Sequence, residues 1–115
     1  MKFICIIPAR YGSSRFPGKP LAVIKGKTVI QRVYEKASSV LEDVYVATDD
    51  ERIFKEVESF GGKVIMTRSD HESGTDRIEE AVSKISIPCD VVINIQGDEP
   101  FIDPSQIQTL CNSFN

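Results

Sequence analysis

Four short apolar runs recur along the chain: "FICII" at Phe3 to Ile7, "VYVAT" at Val44 to Thr48, "KVIMT" at Lys63 to Thr67, and "VVINI" at Val91 to Ile95. Each is rich in β-branched residues and lacks polar alternation. Such runs suit strands buried on both faces, the condition of a parallel sheet. Between them apolar residues fall at helical spacing: Val29, Ile30, Val33, Tyr34 and Ala37, then Ile53, Val57 and Phe60, then Ile78, Ala81, Val82 and Ile85. Strands alternating with helices through right-handed crossovers predict a Rossmann-like α/β fold, a mostly parallel sheet with helices on both faces.

Local signals set the expected boundaries. Thr48 followed by Glu51 fits a capping box, and Gly61-Gly62 can stop the helix that follows. In "DPSQIQTL", Asp103 suits an N-cap, Pro104 the first helical position, and Gln106 the reach back to the cap. No stop signal follows in "CNSFN", so the chain reads as one cut where a longer protein continues. At 115 residues it is one lobe in length, and 41% hydrophobic with 27% charged residues is ordinary globular composition. A net charge of -3 argues against nonspecific nucleic-acid binding. No apolar run approaches the roughly 20 residues of a membrane span, which predicts a soluble, cytoplasmic protein. Cys5, Cys89 and Cys111 form no C-x-x-C pair and indicate neither a disulfide framework nor a zinc site.

In such sheets ligands bind beyond the carboxyl ends of the strands, and the unusual residues of this chain gather there. After the first run, "PARYGSSRFPGKPL" opens a stretch in which Pro8 to Lys27 holds Arg10, Arg15, Lys19, Lys25 and Lys27 with no acid. Gly12, Ser13, Ser14 and Gly18 permit close backbone approach and offer donors, a combination suited to a polyphosphate. The dinucleotide and Walker spacings are absent, and a solvated basic loop before a helix has the same composition. After the fourth run, "QGDEP" places Asp98 where a carboxylate can hold Mg²⁺ beside phosphate oxygens, although Gly, Asp and Pro also make a plain turn. "MTRSDHESGTDR" after the third run adds Arg68, Asp70, His71, Ser73, Thr75, Asp76 and Arg77. A single His is a weak metal ligand there, and Ser73 or Thr75 suits a helix cap. "TDDER" after the second run could touch a ligand, though capping explains much of it. The charges of "QRVYEKASS" read as a wet helix face.

Taken together, "IIPARYGSSRFPGKPL", "VATDDERI", "GGKVIMTRSDHESGTDR" and "NIQGDEP" resemble the 3-deoxy-manno-octulosonate (KDO) cytidylyltransferases, the CMP-KDO synthetases of lipopolysaccharide assembly. The N-acylneuraminate cytidylyltransferases share a P-A-R…S-x-R…P-x-K loop, but the later blocks are closer to the KDO branch. The resemblance implies a nucleotide-diphospho-sugar transferase type of fold. It also implies transfer of CMP from CTP to KDO with release of pyrophosphate and a need for Mg²⁺. On it, Arg10, Lys19 and Arg15 are catalytic and clamp the triphosphate, and Asp98 binds the metal. Pro8, Ala9, Ser13, Arg68, Ser73 and Gln96 complete the CTP site. Members of this family are about twice as long, so residues 1–115 are expected to be the N-terminal CTP-binding lobe. The sugar-binding and dimerisation part of a homodimeric enzyme is then missing, and the lobe alone should lack useful turnover. Another sugar nucleotidyltransferase and a nonenzymatic nucleotide-binding module are the competing readings.

Overall fold

The computed structural model describes residues 2–12, 17–69, 74–85, 89–97 and 103–113. Strand β1 (Phe3–Ala9) leads through a single 3-10 turn (Lys19–Leu21) to the short strands β2 (Val23–Ile24) and β3 (Lys27–Thr28). Helix α1 (Val29–Ser38), β4 (Val44–Thr48), α2 (Glu51–Ser59), β5 (Val64–Met66), α3 (Gly74–Lys84), β6 (Val91–Asn94) and α4 (Pro104–Asn112) follow. The four apolar runs are the four strands of one parallel sheet, ordered β5-β4-β1-β6. Cys5 sits opposite Val44 on one side and Ile93 on the other.

Burial on both faces of β1 follows from its lack of polar alternation. Cys5, Ile7 and Ala9 join Val29, Ile30, Val33, Ile53, Val57, Ile107 and Cys111, so α1, α2 and α4 cover one face. Ile4 and Ile6 pack with Ala81 on the other, under α3. Ile4, Ile6 and Ile7 are 1%, 0% and 0% exposed, and full burial of such a side chain contributes about 1.5–3 kcal/mol. The chain steps from β1 to β4 to β5 in one direction, then returns through α3 to place β6 on the far side of β1. The direction of winding therefore reverses at β1, the position beyond whose carboxyl end open α/β sheets generally bind ligands.

Several local readings need correction. The cap of α2 is Asp50, not Thr48: the Asp50 carboxylate accepts from the N–H groups of Arg52 and Ile53, while Thr48 is the last residue of β4. Thr48 Oγ1 instead accepts from the Asp50 N–H at 3.1 Å and orders the cap from behind. The β2–β3 hairpin is absent from the strand pattern because each arm has two residues. Its turn places Lys25 and Gly26 at φ 51° and 86°, as a tight two-residue turn requires. The face of α1 read as wet also carries a structural cation: Arg32 Nε donates to the Ile24 carbonyl at 2.9 Å and fixes this hairpin. At the α4 start Asp103 is the expected cap, accepting from Ser105, with Pro104 in the first turn, but among the described residues the Gln106 side chain makes no bond back to the cap. Gly61 takes φ 81° after α2. Among the described residues no helix is long and apolar enough to cross a membrane.

Candidate functional site

The β1–β6 pairing continues past the end of β6. Ile95 N–H donates to the Ile6 carbonyl at 3.2 Å, and Gly97 N–H to the Pro8 carbonyl at 3.1 Å. A side chain at position 97 has no space: a Cβ there would stand 2.9 Å from both Ala9 Cβ and the Pro8 oxygen. Glycine in "QGD" thus lets the exits of β1 and β6 touch. Pro8 and Ala9 are buried at this seam, and Gln96 is exposed beside it. Asp98 follows Gly97 in the chain but lies outside the described residues, as do Ser13, Arg15 and Ser73.

Arg10 leaves β1 exposed, and Lys19 is half-buried in the 3-10 turn. Several cations elsewhere in the fold are paired: Lys2 and Lys63 with Asp43, Lys27 with Glu35, Arg52 with Asp50, Arg77 with Asp49, and Lys84 with Glu80. Lys25 and Lys55, without an ion pair among the described residues, are exposed at the surface. Among the described residues the side chains of Arg10 and Lys19 have no ion pair or hydrogen bond. A half-buried ammonium and an exposed guanidinium on one loop give this strand exit a local positive charge in a chain of net charge -3.

The loop that carries them is held at its base. Gly18 N–H donates to the Tyr11 carbonyl at 2.5 Å, and Gly18 adopts φ 75°. The Arg52 guanidinium lies 3.4 Å from the centre of the Tyr11 ring. Asp50 holds that guanidinium through Arg52 Nε at 3.2 Å and a terminal nitrogen at 2.8 Å. The same contact, aided by the backbone N–H groups of Ile53 and Arg52, keeps the Asp50 carboxyl below its ordinary range.

Helix α3 grips the exit of β5. Arg77, one turn before Ala81 and 1% exposed, donates to Thr67 Oγ1 and to the Arg68 carbonyl, and stands 3.6 Å from Asp49. The Arg68 N–H donates to Glu80 at 2.9 Å, and Lys84 Nζ donates to the Met66 carbonyl at 2.8 Å. Residues 77, 80 and 84 share one helix face, so a single stripe fixes Met66, Thr67 and Arg68 in order. Arg68 itself is exposed beyond β5. The roles of Arg77, Glu80, Lys84, Tyr11 and Arg52 were not read from the sequence. For Arg77 a signal existed, since it precedes Ala81 by four residues on an apolar face. Of the described candidates, Pro8 and Ala9 are the last residues of β1, and Arg10, Lys19, Arg68 and Gln96 follow carboxyl ends of strands in the one sheet.

A family model described as "Cytidylyltransferase" matches residues 4–115. The chain belongs to the cytidylyltransferase family. It is 66% identical over 114 residues to the 3-deoxy-manno-octulosonate cytidylyltransferase of Bacteroides thetaiotaomicron, covering 99% of this chain and 46% of that protein. It is 61% identical to the 8-amino-3,8-dideoxy-manno-octulosonate cytidylyltransferase of Shewanella putrefaciens, covering 99% of this chain and 48% of that one. A solved CMP:2-keto-3-deoxy-manno-octonic acid synthetase complexed with CTP superimposes with a TM-score of 0.93 at 54% identity, covering 99% of this chain and 47% of the solved one. The chain thus spans about half the length of the relatives it matches, and the family's α/β architecture is the one described above.

Proposed function

We propose that this chain forms the nucleotide-binding part of a cytidylyltransferase that moves CMP from CTP to 3-deoxy-manno-octulosonate, releasing pyrophosphate. The observation that carries the reading is the pair of unpartnered cations, Arg10 and Lys19, at the point where the winding of the sheet reverses. A triphosphate supplies the missing negative charge, and a nucleoside attached to it would extend along the seam of Pro8, Ala9 and Gln96 toward Arg68. The sugar hydroxyl oxygen forms a bond to the α-phosphorus and gives up its proton to solvent, as the bond from that phosphorus to the oxygen bridging the β-phosphate breaks and pyrophosphate leaves with the electron pair. Negative charge then grows on the α-phosphate oxygens and the departing pyrophosphate. Arg10 and Lys19, with Arg15 beside them in sequence, would offset that charge without reorganising, the main form of catalysis open to a protein in phosphoryl transfer. Ser13 and Ser73 would contribute hydroxyl donors.

Among the described residues no three metal-ligating side chains cluster. Mg²⁺ needs only one or two protein carboxylates when phosphate oxygens complete its shell, so a lone carboxylate fits the donor set. Asp98, which follows the glycine seated on Ala9, would hold it. The metal would supply charge neutralisation at the phosphates and acidify the attacking hydroxyl. We read the longer enzyme as a cytoplasmic homodimer.

The acceptor sugar is the open choice within the family, because relatives at 66% and 61% identity are named for KDO and for its 8-amino analogue. The higher identity favours KDO over the 8-amino acid. The test is CMP-sugar formation by a chain extended to the length of its relatives, supplied with each acceptor in turn. Arg10→Ala, Lys19→Ala and Asp98→Ala should each lower kcat/KM about 100-fold or more, the scale of one lost transition-state contact. Near-unchanged kcat/KM in all three would overturn the site. Turnover of 8-amino-KDO but not KDO would transfer the reading to the other acceptor.

A further inference from the structure

Tyr11 and Arg52 are not needed to explain the core. Tyr11 is half-buried at the edge of the hydrophobic cluster, and the Arg52 side chain is 57% exposed. Yet both touch the base of the basic loop. The Tyr11 ring fills the space beside Gly18, where a Cβ would stand 2.8 Å from Tyr11 Cε2, and Arg52 lies over the same ring at 3.4 Å. Arg52 is in turn tied to Asp50, the cap of α2. Gly18 immediately precedes Lys19, whose own carbonyl is engaged by the Ala22 N–H at 3.0 Å. The backbone on which Lys19 stands is thereby linked, contact by contact, to the rigid start of a helix on a neighbouring strand.

We infer that Asp50, Arg52, Tyr11 and Gly18 form a latch that holds the basic loop in its anion-binding arrangement, making Tyr11 and Arg52 positioning residues for the triphosphate. This rests on the proposed function, because the latch matters only if Lys19 and Arg10 bind phosphates. It acts through geometry: Arg52 is committed to Asp50 and the ring, and its effect on a ligand passes through Tyr11. When only a fraction of molecules holds the loop ready, apparent affinity falls by that fraction. An exposed cation–π contact shifts such a population by about two- to five-fold.

The test measures calorimetric binding of CTP, UTP and inorganic tripolyphosphate, together with amide exchange in the nucleotide-free protein. Arg52→Gln should weaken CTP and tripolyphosphate by the same two- to five-fold or so, leave the ratio of CTP to UTP unchanged, and speed exchange of the Gly18 amide relative to β1 amides. Tyr11→Leu should do more, Tyr11→Phe should restore binding, and Tyr11→Leu with Arg52→Gln should lose no more than Tyr11→Leu alone. General destabilisation would also conserve the base ratio, but it would speed exchange of the β1 amides together with that of Gly18, whereas loss of the latch speeds Gly18 alone. Additive losses in the double variant would mean that Arg52 contacts the ligand directly and would overturn the latch. Unchanged Gly18 exchange in Arg52→Gln would overturn it without any ligand. Lys19→Ala separates the two readings. If it abolishes binding while Arg52→Gln does nothing, the latch fails and the function stands. If CTP fails to bind the unsubstituted chain, or binds Lys19→Ala as well, the function fails and the latch with it.

Discussion

Replacing Arg77 with methionine should destabilise the protein by about 3 kcal/mol, and the reason lies in what it leaves behind. The guanidinium is 1% exposed and serves Thr67, the Arg68 carbonyl and Asp49. Breaking a buried ion pair by removing one partner typically costs about 3–5 kcal/mol, because the other charge is stranded. Two features place this case at the lower end. The Asp49 side chain is 22% exposed, so water can reach its carboxylate. Arg77 Nε has no hydrogen-bond partner, so methionine also removes a buried unsatisfied donor, itself worth about 1–3 kcal/mol. Urea unfolding followed by circular dichroism is the assay. With m of about 1–3 kcal/mol/M for a chain this size, the midpoint should fall by about 1–3 M at constant m. Adding Asp49→Asn to Arg77→Met should recover about 1 kcal/mol by removing the stranded charge. A midpoint unchanged within about 0.3 M, or a double variant weaker than Arg77→Met, would refute the claim that this guanidinium and Asp49 are paired and desolvated.

Other outcomes can be stated briefly. Gly97→Ala must push a methyl into Ala9 and the Pro8 oxygen, both 2.9 Å away, and should cost about 1–3 kcal/mol by thermal unfolding while weakening CTP binding more than its lowered Tm explains. Burial pushes the Cys5 thiol up to about 12, so native protein at pH 8 should show no iodoacetamide labelling at Cys5 while the half-buried Cys89 reacts first; early Cys5 modification by mass spectrometry would contradict its burial. Asp50 has a folded-state pKa held below its ordinary 3.8, chiefly by Arg52. Its contribution is therefore complete at neutral pH and lost as pH falls below 3.8 through the lower folded value, and Asp50→Asn should flatten that part of the acid-unfolding curve.

The parallel sheet was legible because its signal is collective: runs such as "FICII" and "VVINI" cannot present one wet face, so both sides must be covered. The β2–β3 hairpin was not, since two residues per arm carry no period and the turn is secured by Arg32 from another element. Thr48 and Asp50 are both good caps by composition, and register decided between them. Thr48 pairs with Ala9 and belongs to β4, which leaves Asp50 free to turn out of the sheet. The location of Arg10, Lys19 and Gln96 was readable because it depends on chain order relative to strand ends. The second rank behind them was not, because arginine ordinarily reads as solvated, and only the fold reveals that Arg77 is buried and Arg52 stacked.

The distribution of charge explains how an acidic chain can present a basic site. Asp43, Asp49 and Asp50 stand at or near the two ends of β4, and each has a cation, from Lys2 and Lys63, Arg77 and Arg52 respectively. These carboxylates are neutralised locally and project little field toward the exit of β1. Arg10 and Lys19, on the neighbouring strand exit, keep their charge because no described acid is within reach of either. If one of the pairs were broken from the basic side, as in Arg77→Met, the released Asp49 carboxylate would add negative potential at the carboxyl end of β4, beside the exit of β1. Phosphate affinity would then fall more steeply at low salt than at high salt, since the Debye length shrinks from about 30 Å at 0.01 M to about 8 Å at 0.15 M. Asp49→Asn in the same background would remove that salt dependence while leaving any loss that comes from a loosened β5 exit. The comparison divides the work of Arg77 between neutralising an acid and fixing Thr67 and Arg68, two functions that one side chain performs at once.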